Sequence, residues 1–299
     1  MLEQMLTRQK VLTPKEAVPA FCNYRHQIID FLEGLCRQQD LKITTFVLAI
    51  KLLDEICTKM DFKRDELMLI SLNCLSIASK MEEHCQKIPL ALLCQYLRDK
   101  FSVGKIIEAE NIIFGLLDFN AKREIPIEFL YFFLSRGVIM ESELASLSEE
   151  KQTALLKHFE QLAIKLTIYL SKDYSFNFVA PSQAAAAVIM CCRRAFGFDA
   201  WTDELTAMTG CSLQTFNQIS NYVQKIFAKL DVEKIQPIIQ KEKRQMMSNT
   251  YSSPSSVQTC SCENLYETSP SPLCATQAKR SPFEHITMET QAEFEDSVL

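Results

Sequence analysis

Glycine is scarce in this chain, with 6 in 299 residues, where ordinary usage is about 7 per cent. Strand-rich and doubly wound folds need more positive-φ turns than so few glycines can serve. The composition therefore reads as all-α. An excess of positive charge is also missing. The net charge is -5, which argues against a general nucleic-acid binder, because such a protein needs a basic face to displace counterions, and leaves room only for local basic patches. No long apolar run exists. The longest, residues 184–192, stops at Arg193 and Arg194, well short of the ~18 residues of a membrane span. Arg8 and Lys10 fall where a signal peptide would be apolar. A nuclear or cytoplasmic chain with no membrane and no direct nucleic-acid partner is expected. No Cys-x-x-Cys pair occurs and the four histidines are isolated. The 12 cysteines thus read as reduced, buried thiols, with no metal and no cofactor. The phosphate-cradling, zinc-protease and nucleophile-elbow motifs are absent too, which points away from an enzyme.

What is present is enough apolar residue for a real core, 47% of the chain. Three regions follow from composition: a leader over 1–20, a helical body over about 21–235, and a tail rich in Ser, Thr, Pro, Glu and Gln. The body divides near 122–126 into halves of similar length, 21–121 and 122–235. Each half has a central helix apolar nearly all round, expected over 65–82 and over Pro181–Phe196. Pro181 suits a first helical turn. Phe159, Leu162, Ala163, Leu166, Tyr169 and Leu170 repeat at helical spacing between them, and another helix follows Gly210, with Ser212 as its cap. Two similar five-helix units summarise the pattern. The tail, 236–299, has too few apolar residues to offset its ordering entropy and is expected to be disordered.

Three charges break the patterning, and such breaks are where function is sought. Asp54 lies on the core-facing stripe of Val47 and Ile50, where an unpaired carboxylate costs several kcal/mol. Arg25, on the preceding helix over 23–37, is the candidate partner. Their pairing reads as structural, and the alternative of an acid/base dyad lacks a nucleophile or histidine beside it. Glu110 interrupts the stripe of Ile106, Ile107, Ile113, Phe114 and Leu117. Lys80 ends the central helix. It can be read as a solvated pair with Glu83, or as part of a partner surface with an apolar patch from Ile77, Met81 and Phe114.

These residues resemble the cyclin family. The stretch 72–83, LNCLSIASKMEE, resembles the box helix ending in A-S-K-x-E-E. YRHQIIDFL at 24–32 resembles the first box helix, with Arg25 and Asp30, and LAIKLLDEI at 48–56 the second, with Asp54. EAENIIFGLLDFNA at 108–121 resembles the fifth, with Glu110. The four landmarks Arg25, Asp54, Lys80 and Glu110 are 29, 26 and 30 residues apart. YLSKDYSFNFVAPSQAAAAVIM at 169–190 and WTDELTAMTGCSLQTF at 201–216 are similar to elements of the second cyclin fold. Asp173-Tyr174-Ser175-Phe176 and the short leader look closest to the cyclin J subgroup. The resemblance implies two tandem cyclin-box folds and a non-catalytic subunit that binds and activates a cyclin-dependent protein kinase by holding its αC helix inward. Carried over by position, Lys80 and Glu110 would hydrogen-bond the kinase backbone beside an apolar patch of Ile77, Met81, Phe114 and Phe119, and Arg25 with Asp54 would hold the first box together.

The chain departs from the family at 24–28. Tyr24 and Gln27 replace apolar positions of the M-R-A-I-L patch that docks Arg-x-Leu substrates, which puts such docking in doubt. Four Ser-Pro steps in the tail, at Ser253, Ser269, Ser271 and Ser281, suit proline-directed kinases. The rival reading is a cyclin-fold scaffold or transcription regulator without a kinase partner.

Overall fold

The computed structural model describes residues 1–13, 18–85, 87–98, 100–145 and 147–229. The tail, with Ser253, Ser269, Ser271 and Ser281, lies outside the described residues. Within them the chain is helical. A short helix α1 (Leu2–Arg8) precedes the first unit: α2 (Cys22–Gln38), α3 (Ile43–Lys59), α4 (Arg64–Glu82), α5 (Leu90–Tyr96) and α6 (Val103–Leu116). The second unit follows with α7 (Pro126–Ser135), α8 (Glu141–Leu144), α9 (Glu149–Ser171), α10 (Pro181–Phe196), α11 (Asp203–Thr209) and α12 (Leu213–Lys229). No described helix is long and apolar enough to cross a membrane.

The helix limits have local causes. Pro126 and Pro181 open α7 and α10, where a missing N–H costs nothing. Gly197 and Gly210 close α10 and α11 in the left-handed conformation. Cys36, Cys57, Cys74, Cys191, Cys192 and Cys211 are buried. Burial pushes the Cys191 thiol up to about 11, so it remains protonated at neutral pH.

In the first unit α4 is buried nearly all round from Leu67 to Ser79, as its pattern predicts. The same is true of α3, which the pattern gave a single buried stripe. Its buried residues include Lys51, Asp54 and Glu55. The physical reason is that the second unit covers the far side of α3 and supplies polar partners to it. Arg123 clamps Glu55 through Nε and Nη2, at 2.5 and 2.8 Å. In the second unit, Arg193 does more than end an apolar run. It is fully buried, forks onto Glu143 at 2.6 and 3.0 Å, and donates to the carbonyls of Val138 and Asp199.

Glu83 is not the partner of Lys80. Its Oε1 accepts from Lys42 N at 2.7 Å and from Thr45 Oγ1 at 2.6 Å, so it caps the N-terminus of α3 from the far end of α4. A carboxylate there meets the amide of the residue that opens the helix and the positive end of the helix dipole. Glu83→Ala is expected to cost about 1–2 kcal/mol, the range of a lost N-cap. Equilibrium urea unfolding measures it, and an unchanged midpoint contradicts the capping role.

Candidate functional site

Arg25 and Asp54 meet as the sequence suggested. Arg25 Nε and Nη2 donate to Asp54 Oδ1 and Oδ2, each at 2.7 Å. Arg25 Nη1 also donates to the Lys172 carbonyl, and its guanidinium stands 5.5 Å from the Tyr174 ring centre. Burial pulls the Arg25 pKa down, but the Asp54 carboxylate outweighs it and holds the guanidinium above its ordinary value. Neither side chain reaches solvent appreciably. This is a closed structural pair, with no room for a substrate.

Lys80 and Glu110 form an ion pair between the end of α4 and the middle of α6. They remain accessible, at 41% and 23% of the side chain, unlike the Arg25–Asp54 pair. On α6, Val103, Ile107, Glu110 and Phe114 follow at i, i+4, i+7 and i+11, so they share one face. Val103 and Ile107 are exposed and Phe114 is half-buried. Met81, next to Lys80, is exposed. Ile106, Ala109, Ile113 and Leu117 point the other way, into the core.

Phe119 is 81% exposed. It and Asp118 take left-handed backbone, φ 55 and 53, which is uncommon for residues other than Gly, Asn or Asp. The turn is tied down by Phe119 N donating to the Phe114 carbonyl at 2.8 Å. Lys59 Nζ and Arg123 Nη1 donate to the carbonyls of Leu116 and Asn120, each at 2.5 Å. The fold thus holds a large apolar side chain out in water at the edge of the α6 stripe.

One sequence-predicted patch residue is misplaced. Ile77 is 1% exposed and belongs to the core, because α4 is enclosed at that level. Val103 and Ile107 take the surface instead. Their signal was the i, i+4, i+7 spacing to Glu110. At 24–28, Arg25 and Ile28 point inward, the Arg64 guanidinium covers the Tyr24 ring at 5.0 Å, and His26 and Gln27 face solvent. What this segment shows outward is polar.

Comparison with known proteins adds to this geometry. Residues 2–122 match the family described as "Cyclin, N-terminal domain" and residues 125–258 match "Cyclin, C-terminal domain". The chain is 27% identical to mouse G1/S-specific cyclin-D1 over 178 residues, covering 59% of this chain and 54% of the relative. It is 27% identical to the Drosophila melanogaster G2/mitotic-specific cyclin-B, covering 80% of this chain and 44% of the relative. The chain spans about half the length of these relatives. Among solved structures it is similar to a viral cyclin from herpesvirus saimiri, with TM-score 0.52 and 17% identity over 74% of this chain and 88% of the other. A chain of the yeast RNA Pol II CTD kinase CTDK-1 complex matches at TM-score 0.52 and 13% identity, covering 74% of this chain and 69% of that one.

Proposed function

The chain belongs to the cyclin family, and we propose that it is the regulatory, non-catalytic subunit of a cyclin-dependent serine/threonine protein kinase acting in cell-cycle control. The observation that carries this reading is the accessible Lys80–Glu110 pair set in an apolar stripe. Exposed apolar side chains around one cation and one carboxylate suit a partner that offers both an apolar helix face and free backbone groups. A kinase needs its β3 Lys–αC Glu ion pair formed before it can orient ATP phosphates. A rigid face that binds only the inward αC position shifts that equilibrium by its differential affinity for the two states. Phe119, Met81, Val103 and Ile107 supply apolar contact in this reading, with Lys80 and Glu110 reaching backbone carbonyls and amides.

Two of the relatives carry G1/S and G2/mitotic names, and one matched structure is a kinase complex. These support the kinase partner and the cell-cycle role. Within the family, Asp173-Tyr174-Ser175-Phe176 favours the cyclin J subgroup. The protein works in the nucleus, the cytoplasm or both. The polar outer face of 24–28 weighs against Arg-x-Leu substrate docking there. The test is reconstitution: purified cyclin-dependent kinases are assayed on a histone substrate with and without the full chain. Stimulation of at least one of them is expected. If none gains activity or binds, the scaffold reading replaces this one.

A further inference from the structure

The junction between the two boxes converges on one side chain that lies outside the kinase-facing site. Asn177 lies in the short 3-10 turn Tyr174–Phe178, between α9 and α10. It is buried, and it faces the first box. Its Nδ2 donates to Asp54 Oδ2 at 2.6 Å and to the Tyr174 carbonyl at 3.2 Å. Its Oδ1 accepts from Lys51 Nζ at 3.2 Å. Its backbone carbonyl accepts from Leu12 N at 3.0 Å. One residue of the second box therefore holds two residues of α3 and the leader at once.

We propose that Asn177 is the positioning residue of the box-to-box joint, fixing the second box and the leader in a single orientation on α3.

The amide is suited to this by its chemistry. It donates to a carboxylate with one end and accepts from an ammonium with the other, and neither a carboxylate nor an ammonium could do both. Lys51 is a buried cation whose pKa burial pushes below its ordinary value. The Asn177 oxygen is the acceptor that faces it, and an unmatched buried charge is costly. The small open cleft beside these groups, lined by Val47, Lys51, Pro126, Asp173 and Asn177, is about 30 Å³, room for ordered water and too little for a side chain. The leader is a second tie. Gln9 Oε1 accepts from Ser182 N at the start of α10, at 3.2 Å, and a Cβ on Gly210 would lie 3.5 Å from Leu6 Cδ1. The leader thus lies on the second box before the chain enters the first at Phe21. Any partner touching both boxes meets them already set. The inference rests on these contacts and does not depend on the kinase reading.

The test is hydrogen exchange by mass spectrometry on the full chain, comparing wild type with Asn177→Leu, Leu12→Pro and Leu12→Ala. Leucine keeps the shape of asparagine and removes both hydrogen-bonding ends. Peptides over 1–13 and 171–179 should exchange about ten-fold faster in Asn177→Leu, with the interiors of α4 and α10 unchanged, because local opening is separable from global unfolding. Leu12→Pro removes the donor to the Asn177 carbonyl along with the leucine side chain, and Leu12→Ala removes the side chain alone, so the proline variant should release 1–13 well beyond the alanine variant and leave 171–179 protected. If Asn177→Leu changes nothing, or speeds exchange by the same factor everywhere, the proposal is overturned. If that variant does not fold, Lys51→Met decides, because it removes the ammonium that the Asn177 oxygen accepts from: faster exchange confined to 171–179 supports the joint, and unchanged exchange there refutes it.

Discussion

Asp54→Ala should destabilise the chain by about 3–5 kcal/mol, the cost of stripping one partner from a buried ion pair. At roughly 2–4 °C per kcal/mol for 150–250 ordered residues, that lowers the thermal midpoint by about 6–20 °C. The loss is large because the Asp54 carboxylate satisfies three donors, two from Arg25 and one from Asn177. Removing it leaves a buried guanidinium with the Lys172 carbonyl, the Tyr174 ring and the more distant Asp173 charge, and no carboxylate in hydrogen-bonding contact among the described residues. An Arg25→Met/Asp54→Leu double variant removes both charges and should cost less than Asp54→Ala, since apolar replacements of a whole buried pair are often neutral. Differential scanning calorimetry on the three proteins decides this. Equal losses for the single and double variants contradict the paired-charge account.

The second large effect is on binding. Lys80→Glu/Glu110→Lys exchanges the two charges, so the ion pair can still form across α4 and α6. An exposed pair is worth about 0–1 kcal/mol, so the fold should be unaffected. A partner that reads the ammonium from one side and the carboxylate from the other meets both reversed. Mismatched charges in a desolvated contact cost about 2–5 kcal/mol, or at least about 30-fold in affinity. The exchange separates two readings that a pair of alanines would confound. A solvated structural pair tolerates it, and a docking pair does not.

Much of this was legible in the sequence because it is periodic. Asp54 breaks an apolar stripe, and a stripe has one inward direction, so a buried partner could be inferred. Glu110 stood out for the same reason. Ile77 did not sort correctly because α4 is apolar all round, and such a helix carries no signal for which side faces water. Glu83 was read against its own helix neighbour, whereas it reaches 41 residues back to Lys42. Lys51, Arg123 and Asn177 passed without notice for a shared reason. Their partners lie 126, 68 and 123 residues away, and periodicity says nothing about how one box sits on another. Arg193 was seen only as the end of an apolar run, since its partner Glu143 lies 50 residues back on another helix of the same box. Phe119 entered the patch through the family resemblance, and what periodicity could not show is the pair of left-handed residues, Asp118 and Phe119, that turns it outward.

The most direct test of the central claim is co-purification from cells followed by a kinase assay, with wild type beside the Lys80→Glu/Glu110→Lys exchange and both matched in helicity by circular dichroism. The account predicts that wild type brings down an active cyclin-dependent kinase and that the exchanged protein, equally folded, does not. Capture of the kinase by both proteins alike, or by neither across cell stages, would contradict it.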